Sequence, residues 1–183
     1  MDFYPLISDF FQRHLETTSL AVDGLAEATG AAVEQAADAI LNERKLFSIG
    51  LGADCAGATA LASLLQRGVL RERPSLPVVE LAEHHIEYVE TGVNWAGKQI
   101  QALGQHGDVA FVFAASLGEP EIRRLAAALE QRQVGAIWSG NRGPGVSMTV
   151  VDEGVETRLT LNGALAICLA RLIDTHTFGP MGD

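Results

Sequence analysis

Cysteine is scarce in this 183-residue chain: there are two, Cys55 and Cys168, both inside apolar stretches that read as helices. That usage points to buried free thiols in a reducing compartment rather than to a disulfide-stapled scaffold. No CxxC, no His-rich tract and no HExxH is present, so no metal or cofactor is expected. Basic residues are outnumbered, 13 Lys and Arg against 23 Asp and Glu, for a formal net charge of −10. A chain so acidic lacks the clustered cations that phosphate backbones demand, which argues against direct nucleic-acid binding. No apolar run approaches the roughly 18 residues of a membrane span, and Met1 to Pro5 carry no basic stretch. The expectation is a cytoplasmic protein without membrane contact.

What the chain does have is apolar material, 48% of its residues, ample for the core of one domain. Residues 45–67 organise the rest. A short apolar run at 46–49 reads as a buried strand, Gly50 and Gly52 permit a tight turn, and 53–66 is an Ala/Leu helix. Strand, glycine turn and helix form the unit of an open parallel α/β sheet, whose helix N-termini face a ligand site at the strands' carboxyl ends. Further strands are expected near 78, 109, 134 and 148, with helices over 95–103, 121–131 and 159–176. The alternation predicts an α/β fold, a three-layer αβα sandwich around a five-stranded parallel sheet.

Two extra N-terminal helices, over 5–28 and 31–41 and broken at Gly30, carry more apolar surface than one sheet face needs. Their surplus predicts burial against another subunit, as does the last helix, apolar nearly all round. Residues 1–183 thus read as a single domain, with 1–44 in an oligomer interface and 45–183 as the α/β core. The stretch 82–92, with His84 and His85 among Glu83, Glu87, Tyr88 and Glu90, reads as a short helix or lid. Adjacent histidines point apart, so they are read as loop or interface residues and not as a metal pair.

The ligand site is expected where the Gly50 turn meets the Ser116 turn, bringing together Gly50, Gly52, Asp54, Ser116, Gly118 and Glu119. Nucleotide cradles are excluded, because neither G-x-G-x-x-G nor a Lys-Ser/Thr pair follows the glycines. Asp54 reads first as a helix N-cap and Glu119 as a helix-start acid, each satisfied by backbone amides and the dipole. Ser116 is a lone hydroxyl, Trp95 and Trp138 are core or interface aromatics, and Arg142 lies in a plain Gly/Pro/Asn turn.

The segments Leu41-Asn42-Glu43, Arg71-Glu72-Arg73-Pro74-Ser75-Leu76-Pro77, Lys98-Gln99-Ile100, Ala102-Leu103-Gly104-Gln105, Gly107-Asp108-Val109 and Leu172-Ile173-Asp174 carry a resemblance over essentially the whole chain. It is to the sugar isomerase (SIS) family, and within it to the bacterial phosphoheptose isomerases and the related initiator-associating factor DiaA. The resemblance implies a flavodoxin-like SIS fold and a homotetramer packed through its terminal helices. The activity it implies is isomerisation of D-sedoheptulose 7-phosphate in heptose and lipopolysaccharide biosynthesis.

At the functional positions this chain departs from the pattern. The family's Gly-Asn-Gly-Gly-Ser turn is Gly50-Leu51-Gly52-Ala53-Asp54, and its Ser-Thr-Ser-Gly-Asn-Ser turn is Ala114-Ala115-Ser116-Leu117-Gly118-Glu119. The family's catalytic Glu and His align with Leu64 and Asn162. Aldose–ketose isomerisation needs a positioned acid and base, and neither residue serves as one. A phosphate about 4 Å from a carboxylate is repelled by ~4 kcal/mol at an effective dielectric of about 20. The expectation is therefore a catalytically inactive SIS protein. It would act as a DiaA-like regulatory protein on a partner such as the replication initiator, or as a binder of a small sugar-derived ligand, neutral or cationic, in a vestigial pocket. The alternative is an active sugar-phosphate isomerase, of sedoheptulose 7-phosphate or of changed specificity.

Overall fold

The short apolar runs become strands because each is flanked by helices that bury both faces of the sheet. A computed structural model describes residues 2–68, 71–82, 92–140, 143–148 and 154–180. Its strands are β1 (Leu46–Gly50), β2 (Val78–Ala82), β3 (Val109–Phe113), β4 (Gly135–Ser139) and β5 (Val146–Met148). They form one sheet in the order β2-β1-β3-β4-β5 with every pairing parallel. β1 and β3 are buried at every position, as central strands covered on both faces must be. The one polar residue there, Ser48, donates its hydroxyl to the Ala58 carbonyl at 2.8 Å.

The helices are α1 (Tyr4–Leu41), α2 (Cys55–Arg67), α3 (Gly92–Leu103), α4 (Glu119–Gln131) and α5 (Val155–Phe178). On one face, α1, α2 and α5 bring Ala36, Leu61, Leu65, Leu165 and Leu169 onto Phe111 and Phe113. On the other, α3 and α4 set Ile100, Leu125 and Leu129 against Phe47, Ile49, Val112 and Trp138. Each such side chain contributes about 1.5–3 kcal/mol on burial, so the two cores fix the three-layer sandwich. The strand order reverses direction between β1 and β3, which puts the switch point of the sheet, and the crevice it opens, at their carboxyl ends.

Three readings of the sequence need correction. The N-terminal pair of helices is a single helix of 38 residues. Gly30 does not break it: a helical glycine costs about 1 kcal/mol, and burial of the flanking Thr29, Ala32, Val33 and Ala36 outweighs that. No residue in the first half of α1 is fully buried, and Leu6, Ile7, Phe10, Phe11, Leu15 and Leu20 are exposed. Second, α5 is not apolar all round. One face, with Leu161, Leu165, Leu169 and Ile173, is buried, and the other presents Thr160, Arg171 and Thr175 beside exposed Ile167 and Leu172. Third, Cys168 lies on that outer face and is exposed, while Cys55 is half-buried; both are free thiols.

α4 starts two residues earlier than expected, because Gly118 serves as its N-cap and the Glu121 carboxylate accepts the Gly118 amide at 2.9 Å. Pro120 sits in its first turn, as the sequence implies. The connector between α2 and β2 is tied to the end of α5. Arg73 makes a buried ion pair with Asp174 at 2.7 Å. Arg71 donates to the carbonyls of Phe178 and Gly179, groups that a helix end leaves without partners. Most of the expected lid, including His84 and His85, and the turn residue Arg142 lie outside the described residues.

Candidate functional site

Gly50 closes β1 directly beneath α2. A Cβ there would come within 2.7 Å of both the Cys55 Cα and the Ala58 Cβ, so the close approach of helix to strand needs glycine. Gly52 takes φ +61, the left-handed region that glycine enters without strain, and opens a single 3-10 turn over Gly52–Asp54. The Leu51 amide donates to the Phe113 carbonyl at 3.0 Å, drawing this turn against the one after β3. The Ser116 hydroxyl then lies 3.6 Å from where a Gly52 Cβ would stand. The two turns meet at the β1/β3 switch point, as the sequence implies.

Asp54 does not do what its position suggests. It occupies the N-cap of α2, yet its side chain makes no capping bond and is fully buried. Oδ2 accepts the Ala115 amide at 3.0 Å. Oδ1 accepts Arg158 Nε at 3.0 Å and Asn162 Nδ2 at 3.0 Å. The orientation of the Asn162 amide is set from behind, because its Oδ1 accepts the Ser139 hydroxyl at 2.7 Å. The carboxylate thus ties the turn after β3 to one face of α5, and Asn162 extends the tie to Ser139 at the end of β4.

A buried carboxylate persists only where a counter-charge and hydrogen bonds replace water, and Arg158, itself nearly buried, supplies the charge. This corrects the capping assignment: Asp54 is satisfied by Arg158, Asn162 and the Ala115 amide, not by the amides of its own helix. Glu119 has the opposite fate. It projects into solvent from the first turn of α4 and pairs with Arg123 one turn along. It is a helix-start residue as read, but it does not share the Asp54 environment. Ser116 and Gly118 are exposed at the same turn.

The two positions aligned with the acid and base of the resembled family are placed differently. Leu64 is half-buried and packs on the core shared by α1, α2 and α5. Asn162 is buried, and both ends of its amide are engaged in the Asp54 network. The ionisable groups of that network are Asp54 and Arg158, and they form an ion pair at 3.0 Å. Among the described residues no three His, Cys, Asp or Glu side chains gather as a metal would require, and no helix is long and apolar enough to cross a membrane.

Sequence reasoning missed Arg158, Ser139 and the Ala115 amide. A signal existed for the first: Arg158 immediately precedes the apolar run that was read as the last helix, a cation placed where a buried acid elsewhere needs one.

No protein-family model matches the chain. The phosphoheptose isomerase of Methylococcus capsulatus is 27% identical to it over 194 residues, covering 94% of this chain and 96% of its own. That of Alkalilimnicola ehrlichii is 27% identical over 188 residues with the same coverage. Among solved structures, a phosphoheptose isomerase from Francisella tularensis matches with a TM-score of 0.81 at 19% identity, over 96% of this chain and 100% of that one. One from Neisseria gonorrhoeae gives 0.78 at 19% identity, over 95% and 100%. At that identity the two structures speak to the fold, the parallel five-stranded α/β sandwich derived above.

Proposed function

We propose that this chain, a phosphoheptose isomerase-like protein of the SIS sugar-phosphate isomerase family, no longer carries out the isomerase reaction and works by binding. The observation that carries this reading is the closed network of Asp54, Arg158 and Asn162. Moving a proton between adjacent carbons requires an acid and a base within hydrogen-bond reach of the substrate, a contribution of about 10²–10⁴ in rate. Leu64 has no proton to give or take, and Asn162 is held between Ser139 and Asp54. The position that would offer a hydroxyl to a phosphate offers a carboxylate already bound to its own counter-ion.

The ligand that suits such a cleft is a neutral, sugar-derived one. A preference for cations is not supported, because Arg158 balances Asp54 and Glu119 faces solvent. The regulatory side of the reading rests on the exposed apolar residues of α1 and α5. They suit a homotetramer assembled through these helices, which presents a surface for a protein partner in the manner of the DiaA-like group.

A coupled assay of the purified protein on sedoheptulose 7-phosphate tests the central claim. No turnover above background is expected. Turnover that disappears on Asn162→Ala would overturn it. That outcome is the second reading, an active isomerase of altered site chemistry, which the full-length 27% identity to proteins of that name favours.

A further inference from the structure

Asp54 sits at the start of a helix and could bond the amides of its own first turn, the ordinary arrangement for a helix-start carboxylate. It makes no such bond. Instead its two oxygens are met by three donors from elsewhere in the chain. They are the Ala115 amide on Oδ2 and the Arg158 Nε and Asn162 Nδ2 on Oδ1, each at 3.0 Å. Every donor is held by its own surroundings. The Ala115 amide belongs to the turn that follows β3. Asn162 is buried and oriented by the Ser139 hydroxyl, and the Arg158 side chain is itself largely buried. One cation, one amide side chain and one backbone N–H converging on a planar pair of oxygens make a receptor for an anion, and the N-terminus of α2 adds a favourable dipole.

We infer that Ala115, Arg158 and Asn162 form a carboxylate-binding site that the chain fills with its own Asp54. The inference rests on the proposed loss of isomerase function, since it explains why the Ala115 amide, Arg158 and Asn162 are taken up by Asp54 and not by a phosphorylated substrate. The site differs from a ligand pocket only in that its occupant is attached through a single Cβ. Cutting that attachment leaves the receptor intact and empties it.

The variant Asp54→Ala removes the carboxylate and nothing beyond it, and formate restores the missing planar anion. Thermal unfolding is followed for wild type, Asp54→Ala and the double variant Asp54→Ala with Arg158→Gln, in sodium formate and in sodium chloride at matched ionic strength. The melting temperature of Asp54→Ala is expected to rise by on the order of 3 °C in about 0.1 M formate relative to chloride. Wild type and the double variant should show no such difference. No formate-specific rise in a folded Asp54→Ala protein overturns the inference, and so does an equal rise in either control. Should Asp54→Ala be unfolded in chloride, the same titration is read by circular dichroism. Refolding in formate alone supports the site, and failure to refold overturns it. Turnover of sedoheptulose 7-phosphate by wild type would instead sink the functional reading, and it is measured independently.

Discussion

The cleft at the carboxyl ends of β1 and β3 and the first half of α1 differ in what they leave unsatisfied. In the cleft, a buried acid, a guanidinium, an amide and a hydroxyl account for one another over distances of 2.7 to 3.0 Å. Along α1, Leu6, Ile7, Phe10, Phe11 and Leu15 are exposed, and none of them belongs to either buried core cluster of the described residues. One region has turned its binding groups inward, and the other holds its apolar groups out. Family resemblance draws attention to the cleft, whereas the free energy still available for association lies on the helix: each exposed large apolar side chain stands to contribute about 1.5–3 kcal/mol once covered.

The largest expected effect breaks the helix side of that contrast. Wild type should run as a four-chain assembly in light scattering. The paired change Phe10→Asp with Phe11→Asp should reduce the mass to that of smaller species while the circular dichroism of the fold is retained. A wild type that is monomeric at micromolar concentration removes the contrast altogether. Next in size is the cleft. Asp54→Ala leaves Arg158 buried without its partner and should lower stability to denaturant by about 3–5 kcal/mol. A loss near zero would mean that the network is ornamental. The smallest effect sharpens the contrast between the two acids of the two turns. Glu119→Ala removes a solvent-exposed pair and should change stability by no more than about 0.5 kcal/mol. A large loss there would show that the second turn is as closed as the first.

The sheet was legible because its strands advertise themselves locally. The run 46–49 and the run ending in Phe113 are apolar from end to end, and glycines follow the first where the chain must turn. Helix boundaries were less so. Gly30 looks like a break in the linear sequence and is none, since its cost of about 1 kcal/mol is small beside the burial of its neighbours. The character of Asp54 was the least legible feature. A carboxylate at a helix start is an N-cap by every local rule. What overrides the rule is a guanidinium that the fold delivers from the start of α5, on a helix whose reading began one residue too late to include it. The two turns do come together as the sequence implies, and what the sequence reading lacked was the guanidinium that pairs with Asp54.

The Asp54 network also sets an order of events during folding. Its partners stand 61, 104 and 108 residues further along the chain. β1, α2 and β3 can pair and collapse, with Leu46 beside Val109, before the last helix is in place, whereas the counter-ion arrives only with α5. Until then a collapsed chain holds a carboxylate at the end of an apolar sheet with no cation beside it, and such long-range closures come late. Docking of α5 therefore completes that helical layer and gives the carboxylate its counter-ion in one step. A nascent chain halted before Arg158 keeps its cleft charged and solvated, and seals it only when the last helix is made.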